Sequence, residues 1–204
     1  MKKVIFLNLV GLFFALVAYA QDKVEAPVWN VGDKWVWSSG GSTEVLRIDE
    51  NSYVIKTLSS DNIENFFIHD KTSLNRTHRL EGEKRRKYGG MWSKAFNFPL
   101  TIGKSWENMF SSRAAGTTIS TPENRYFEKF KVLGFEDVKV QAGTFKAIKI
   151  EYRQEGLSHT GERWVGEAWF WYVPEVKYFV KWQPESSPVW LRVKGWELAS
   201  FELK

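Results

Sequence analysis

The sequence predicts an all-β fold: a single strongly curved antiparallel sheet, a half-barrel or partial-barrel meander with little helix. Three observations carry this. Apolar and polar residues alternate with period two in segment after segment from Lys34 to the C-terminus, no long segment shows the period of an amphipathic helix, and turn-forming residues separate the alternating runs.

Taken in order, Thr43-Glu44-Val45-Leu46-Arg47-Ile48-Asp49 reads as a strand, and Ser52 to Leu58 follows it across the short Glu50-Asn51 connection. Ile63 to Ile68 and Ser73 to His78 continue the up-and-down pattern. The cluster Lys84-Arg85-Arg86-Lys87 lies between Gly82 and Gly89 and reads as a solvated hairpin tip, with contact to an anionic surface as the other reading. Ala95 to Gly103 is irregular, and Pro99 breaks any strand there. Strands are then expected at Lys104 to Ser111, Tyr126 to Phe135, Phe145 to Gln154, Arg163 to Val173, Val176 to Trp182 and Val189 to Leu203. Ser111 to Glu123 has few apolar anchors and reads as a loose connection. Val31-Gly32-Asp33-Lys34-Trp35 and Ile102-Gly103-Lys104-Ser105-Trp106 share an apolar-Gly-x-x-Trp pattern. Either two strand starts coincide, or the fold consists of two related half-sheets.

Residues 1–20 read as a secretory leader. Lys2 and Lys3 precede an apolar run from Val4 to Val17, and Ala18-Tyr19-Ala20 forms a cleavage site that makes Gln21 the expected mature N-terminus. The run is short for a membrane span and no later stretch reaches that length, so no transmembrane segment is expected. Residues 21–204 are then a single exported all-β domain, periplasmic or secreted. The chain has no cysteine, hence no disulfide and no thiol for lipidation. Its formal charge of +5 includes two leader lysines. The mild excess that remains is spread along the chain and argues against a nucleic-acid partner.

Two motifs mark the C-terminal half. Val132 to Ala147 contains Gln141-Ala142-Gly143-Thr144-Phe145, a tight turn between two strands, in which Gly143 takes positive φ and Phe145 caps the core. Trp169 to Lys181 contains Trp171-Tyr172-Val173-Pro174, where Pro174 fixes a second turn. With Phe98-Pro99-Leu100-Thr101-Ile102-Gly103-Lys104-Ser105-Trp106 and the ending Glu197-Leu198-Ala199-Ser200, the chain resembles a family of exported bacterial domains of unknown function. Gln141 stands where that family often has proline, and Glu175-Val176-Lys177 replaces its glycine-containing turn. The resemblance spans roughly Gly32 to Phe201. It implies a curved antiparallel sheet related to the half-barrel of periplasmic lipoprotein carriers, and it implies no catalytic residues.

Reading the residues for chemistry gives none. His69, His78 and His159 have no ligand-type partner at i+2 or i+4, so no metal site is expected. No nucleophile elbow, zinc-protease helix, phosphate loop or calcium loop occurs, and no cofactor is implied. Glu162 and Glu167, flanking Trp164, are the best carboxylate pair for glycoside hydrolysis, and a weak one. The chain is therefore expected not to be an enzyme.

Aromatic content is the remaining lead. Eleven tryptophans are present. On an ideal strand Trp169, Trp171 and Val173 share one face while Ala168, Phe170 and Tyr172 share the other, so both faces are apolar. Trp35 and Trp37 also share a face, and Trp190 and Trp196 alternate with Arg192 and Lys194. Trp35, Trp106 and Trp171 are assigned to the core. Trp169, Trp190, Arg192 and Trp196 are the candidate ligand-binding residues, with packing as the alternative for the three indoles. Gly143, Phe145 and Pro174 are structural. The expected ligand is a lipid or amphipathic small molecule held on the curved sheet. A carbohydrate stacked on strand-spaced indoles and an envelope protein paired along a sheet edge are the alternatives.

Overall fold

Alternation along a single strand shows how the sequence builds the sheet. In Asn124–Val140, Glu128, Phe130 and Val132 turn inward and are buried, while Lys129, Lys131 and Leu133 face water. The computed structural model describes residues 23–113, 123–186 and 194–204. Among these the chain forms β1 (Lys23–Val24), β2 (Lys34–Trp37), β3 (Ser42–Ile48), β4 (Ser52–Leu58), β5 (Glu64–Asp70), β6 (Arg76–Glu81), β7 (Lys84–Lys87), β8 (Leu100–Thr101), β9 (Ser105–Ser112), β10 (Asn124–Val140), β11 (Gly143–Leu157), β12 (Arg163–Val173), β13 (Tyr178–Ser186) and β14 (Trp196–Glu202). A 3-10 turn, Pro174–Val176, precedes β13.

β1 and β8 pair in a small ribbon, and the other twelve strands form one antiparallel sheet in the order β7-β6-β5-β4-β3-β2-β14-β13-β12-β11-β10-β9. Two meanders build it. The first runs from β2 outward to one edge at β7. The second starts at the opposite edge, β9, and runs inward to β13. β14 then lies between β13 and β2 and joins the halves. β7 and β9 do not pair, so the sheet is strongly extended but not closed into a barrel. Among the described residues no helix is long and apolar enough to cross a membrane.

The apolar-Gly-x-x-Trp echo has a structural counterpart, because each copy opens one meander. Gly32 and Gly103 have φ 91 and 84, a region costly for other residues. Gly32 N–H donates to Val45 O and Val45 N–H to Asp33 O, just as Gly103 N–H donates to Val132 O and Val132 N–H to Lys104 O, all at 2.9 Å. The tryptophan three residues after each glycine, Trp35 or Trp106, is then buried.

The core lies on the inner face, where the sheet cannot cover itself. Trp29, ahead of β2, fills part of it and contacts Trp35 and Tyr53. The β7–β8 connection fills more by crossing the sheet with Trp92, Phe96 and Phe98 packed against the core. Side chains of the sheet hold it there. Asn75 bonds both the N–H and the carbonyl of Phe96, at 3.0 and 2.8 Å, and Trp106 Nε1–H donates to Lys94 O at 2.9 Å. The irregular stretch expected at Ala95 to Gly103 is thus a buried crossing, and it ends in β8 rather than in coil.

Other expectations are adjusted. Lys84–Lys87 is the edge strand β7 rather than a hairpin tip; Gly82 makes the turn, and all four basic residues are exposed. β6 begins at Arg76 rather than Ser73, because Asp70 Oδ1 accepts from the N–H groups of Thr72 and Ser73 and forms a local turn instead. Pro174 opens the 3-10 turn, so β13 starts at Tyr178 and not at Val176. Gly143 has φ 144 at the β10–β11 turn. That hairpin reaches over β14: Ala142 N–H donates to Leu198 O at 3.0 Å, and the half-buried Phe145 ring lies 6.1 Å from Phe201. Most of the connection expected at Ser111 to Glu123 lies outside the described residues, as does the leader.

Candidate functional site

Strand register lines up the inner face in rows. Val132, Ile150, Phe170, Trp182 and Trp196 are direct cross-strand partners from β10 to β14. Leu198 then meets Trp37 across the β14–β2 pair, and the Trp37 and Trp196 rings lie 4.7 Å apart. Between this wall and the crossing segment is a cavity of about 510 Å³. Trp92 packs edge-on against Phe170 and Trp182, at 5.5 Å from each, and separates the cavity from the closed core.

The cavity has two distinct ends. Ser39, Ser59, Ser60, Lys194 and Trp196 lie at the mouth, where β2, β4 and β14 meet their loops. His69, Leu74, Asn75 and Arg76 lie at the other end, around the β5–β6 turn. Aromatic side chains, chiefly Trp37, Trp92, Phe179 and Trp182, form the walls between.

Polar groups at the inner end are held unusually. His69 is fully buried, and its Nδ1 lies 2.8 Å from Leu74 O. Facing a carbonyl, Nδ1 carries the proton of the neutral ring and Nε2 is left as an acceptor. Burial, and secondarily the neighbouring Arg76 charge, push the imidazole pKa down to about 3. His69 Nε2 and Trp182 Nε1 have no hydrogen-bond partner among the described residues. Burial also raises the Tyr178 hydroxyl, against a pull downward from Arg76. The Arg76 guanidinium itself lies 4.5 Å from the centre of the Phe67 ring and 6.0 Å from that of Tyr88.

Behind Trp92 lies a second polar cluster. Glu128, almost wholly buried, accepts from Asn108 Nδ2 at 2.7 Å, Tyr152 OH at 2.9 Å and Trp92 N–H at 3.0 Å. Burial raises its pKa, and these hydrogen bonds oppose the shift. Its carboxylate is taken up in pinning the crossing segment to the sheet and is closed off from the cavity by it.

Of the four residues singled out by sequence, the two that are described, Trp169 and Trp196, lie on different faces of the sheet. Trp196 lines the cavity, with Lys194 beside it. Trp169 is on the opposite face of β12, next to Glu151, Arg153 and Glu167, with Lys149 Nζ 5.2 Å from its ring centre. Trp190 and Arg192 lie outside the described residues. Trp171 shares the outer face with Trp169 and is nonetheless 5% exposed, because Lys149 and Lys181 cover its ring and Glu136 accepts from its Nε1–H at 2.7 Å. Sequence reasoning missed Trp37, Trp92, Trp182, His69 and Arg76 as cavity residues. For Trp92 a signal existed: apolar residues persist through Met91-Trp92 and Ala95-Phe96 where strand alternation has stopped.

No protein-family profile matches the chain, and no curated protein matches it. The resemblance to the exported domain family therefore rests on its motifs. Among solved structures, the chain is similar to a candidate lipoprotein from Parabacteroides distasonis, at 15% identity over 89% of this chain and 100% of that one, with TM-score 0.43. It is similar also to the hypothetical lipoprotein YmcC from Escherichia coli, at 10% identity over 87% and 89% of the two chains, TM-score 0.45. A candidate exported protein with a YmcC-like fold from Bacteroides fragilis matches at 12% identity over 88% and 99%, TM-score 0.41.

Proposed function

We propose that this chain is an exported, non-catalytic domain that holds an apolar or amphipathic small molecule in the bacterial envelope. The leader supports export, and one observation carries the ligand reading: the inner sheet face does not close on itself at Trp196 but leaves a 510 Å³ aromatic cavity with a polar mouth. That volume falls within the range of small-molecule sites, roughly 300–1,000 Å³. A predominantly aromatic wall, with its charged groups confined to the two ends, suits a ligand that is mostly hydrocarbon. Sugar stacking has less support, since Trp37 and Trp196 meet at 53° rather than as a flat platform.

The test is titration of the mature protein with the apolar fluorophore 1-N-phenylnaphthylamine. Saturable fluorescence enhancement, weakened in a Thr57→Trp variant that fills the cavity from β4, is the expected result. A folded protein that gives no enhancement, or an unchanged affinity in a folded Thr57→Trp variant, removes the reading. Quenching of indole fluorescence by soluble glycans in place of the fluorophore would favour a carbohydrate module.

A further inference from the structure

The geometry points to a cavity selective for anionic single-chain amphiphiles, with the anionic head group received by Arg76 and the Tyr178 hydroxyl at the inner end and the chain running along the indoles toward Trp196. This rests on the reading of the cavity as a ligand site and goes beyond it in naming the ligand's charge, its direction and the residue that selects it.

Charge in the lining is the first argument. Arg76 and Lys194 are cationic, and among the described residues no aspartate or glutamate lines the cavity. Burial of His69 keeps it neutral, so it neither adds to that charge nor offsets it. An apolar cavity bearing only positive charge disfavours a cationic guest and strengthens attraction to an anion, because the low local dielectric leaves the charge poorly screened.

Arg76 itself is the second. Arg47, Arg86 and Arg153 each pair with a carboxylate, at 2.8, 2.5 and 2.8 Å. Arg76 has no ion pair among the described residues, although it is half-buried and fixed in place by Phe67 and Tyr88. The guanidinium bonds the Tyr178 hydroxyl oxygen, and its remaining N–H donors form a fork that matches two oxygens of a carboxylate or a phosphate. Tyr178, directly beside it, adds a hydroxyl donor. Trp182 Nε1 is a third donor in the wall without a partner among the described residues, and His69 Nε2 offers an acceptor to a hydroxyl next to the head group.

Volume fixes the tail. With a methylene taken as about the volume of a water molecule, roughly 30 Å³, the cavity of about 510 Å³ holds about 17 such groups, enough for one chain of about a dozen carbons with its head group and not for two chains. Its hydroxyl-rich mouth, Ser39, Ser59 and Ser60, contacts neither the head nor most of the chain in this orientation.

The experiment compares laurate, dodecyl phosphate, 1-dodecanol and dodecyltrimethylammonium by isothermal titration calorimetry below their aggregation concentrations. One or both anions should bind about tenfold or more tighter than dodecanol, the factor set by a charge-assisted hydrogen bond. Dodecyltrimethylammonium should be weakest, and the better of the two anions identifies a carboxylate or a phosphate head. Arg76→Gln should abolish the preference, so that neither anion binds that variant tighter than dodecanol does, and Arg76→Lys should keep part of it. Should Arg76→Gln fail to fold, laurate labelled with ¹³C at its carboxyl and titrated on the wild-type protein reads the same point. Its bound carboxyl should ionise at lower pH than in water, and ionisation at higher pH places the head in an apolar site and overturns the proposal. Equal affinity for laurate and dodecanol, or an anion preference that survives Arg76→Gln, overturns the selectivity but leaves the cavity as a ligand site. If none of the four ligands binds the folded protein, the cavity reading falls with it.

Discussion

Two tryptophans on adjacent parts of the sheet illustrate how similar residues serve different ends. Trp171 is on the outer face yet closed off by two lysines and an acceptor, whereas Trp196 on the inner face is half-open to a cavity. Trp171→Ala should cost about 3–5 kcal/mol, since the strand backbone cannot collapse into the vacated space. Trp196→Ala should cost about 1 kcal/mol and weaken ligand capture. Urea midpoints of the two variants decide this, and equal losses would make Trp196 ordinary core. His69 gives a second test at this scale. Its folded pKa of about 3 lies below its ordinary 6.5, so between these values the unfolded chain binds a proton that the folded one refuses. The contribution is fully present above pH 6.5 and is lost as pH falls toward 3, a total on the order of 5 kcal/mol. Glu128 acts in the opposite sense: its raised pKa makes stability fall as pH rises above the carboxyl's usual value. Comparison of wild type with His69→Asn, which retains a donor to Leu74 O, cancels that effect. The variant should lose much of the decline in urea midpoint between pH 6 and pH 4, and an unchanged slope would show that His69 is not the group that titrates.

Among the elements, the edges and the crossing segment matter most. An open twelve-stranded sheet has two edges, and β7 presents Lys84-Arg85-Arg86-Lys87 at one of them, all exposed. Cations along an edge discourage strand addition by a second molecule. Replacing all four by serine should leave the thermal midpoint nearly unchanged, because exposed side chains contribute little, while promoting self-association that light scattering detects. A large loss of stability would instead make β7 a structural strand. The crossing segment shows where sequence legibility ended. Alternation located β3, β9, β10 and β11 because along most of each one face lies against the core and the other in water. Trp92, Phe96 and Phe98 carry no such period, since a segment lying across a concave sheet is buried by tertiary contacts that its own spacing does not encode. The same reasoning explains Trp169 and Trp196: both were visible as strand indoles, but which face of the sheet is concave depends on curvature set by the whole set of strands.

At the scale of the molecule, the halves of the sheet are joined in the middle by the strand that comes last in sequence. The repeated Gly-x-x-Trp openings were legible and do begin the two meanders, but their joining was not, because pairing of β14 with β2 connects residues far apart in the chain. That seam is reinforced by a small polar cluster. Asp33, fully buried, accepts from Lys204 N–H at 2.8 Å, from Asn30 N–H at 2.9 Å and from Lys177 Nζ at 3.0 Å. Asn30 Nδ2 in turn donates to Lys204 O at 2.5 Å. Trp35 Nε1–H reaches across the same seam to Val176 O at 2.8 Å, so the first meander is fastened to the turn before β13 as well as to β14. Removal of residues 196–204 would strip one wall of the cavity, expose the edges of β2 and β13, and leave the Asp33 carboxylate with two of its three donors. A buried carboxylate short of a donor and two apolar edges open to water are each expected to be costly. The truncated chain should therefore lose its single cooperative urea transition and unfold at lower denaturant, with indole fluorescence of the first meander changing before circular dichroism of the long β10–β11 hairpin. A truncated protein that keeps one transition at the wild-type midpoint would mean that the halves are held together through the filled concave face alone, and that β14 is an added strand on an already complete core.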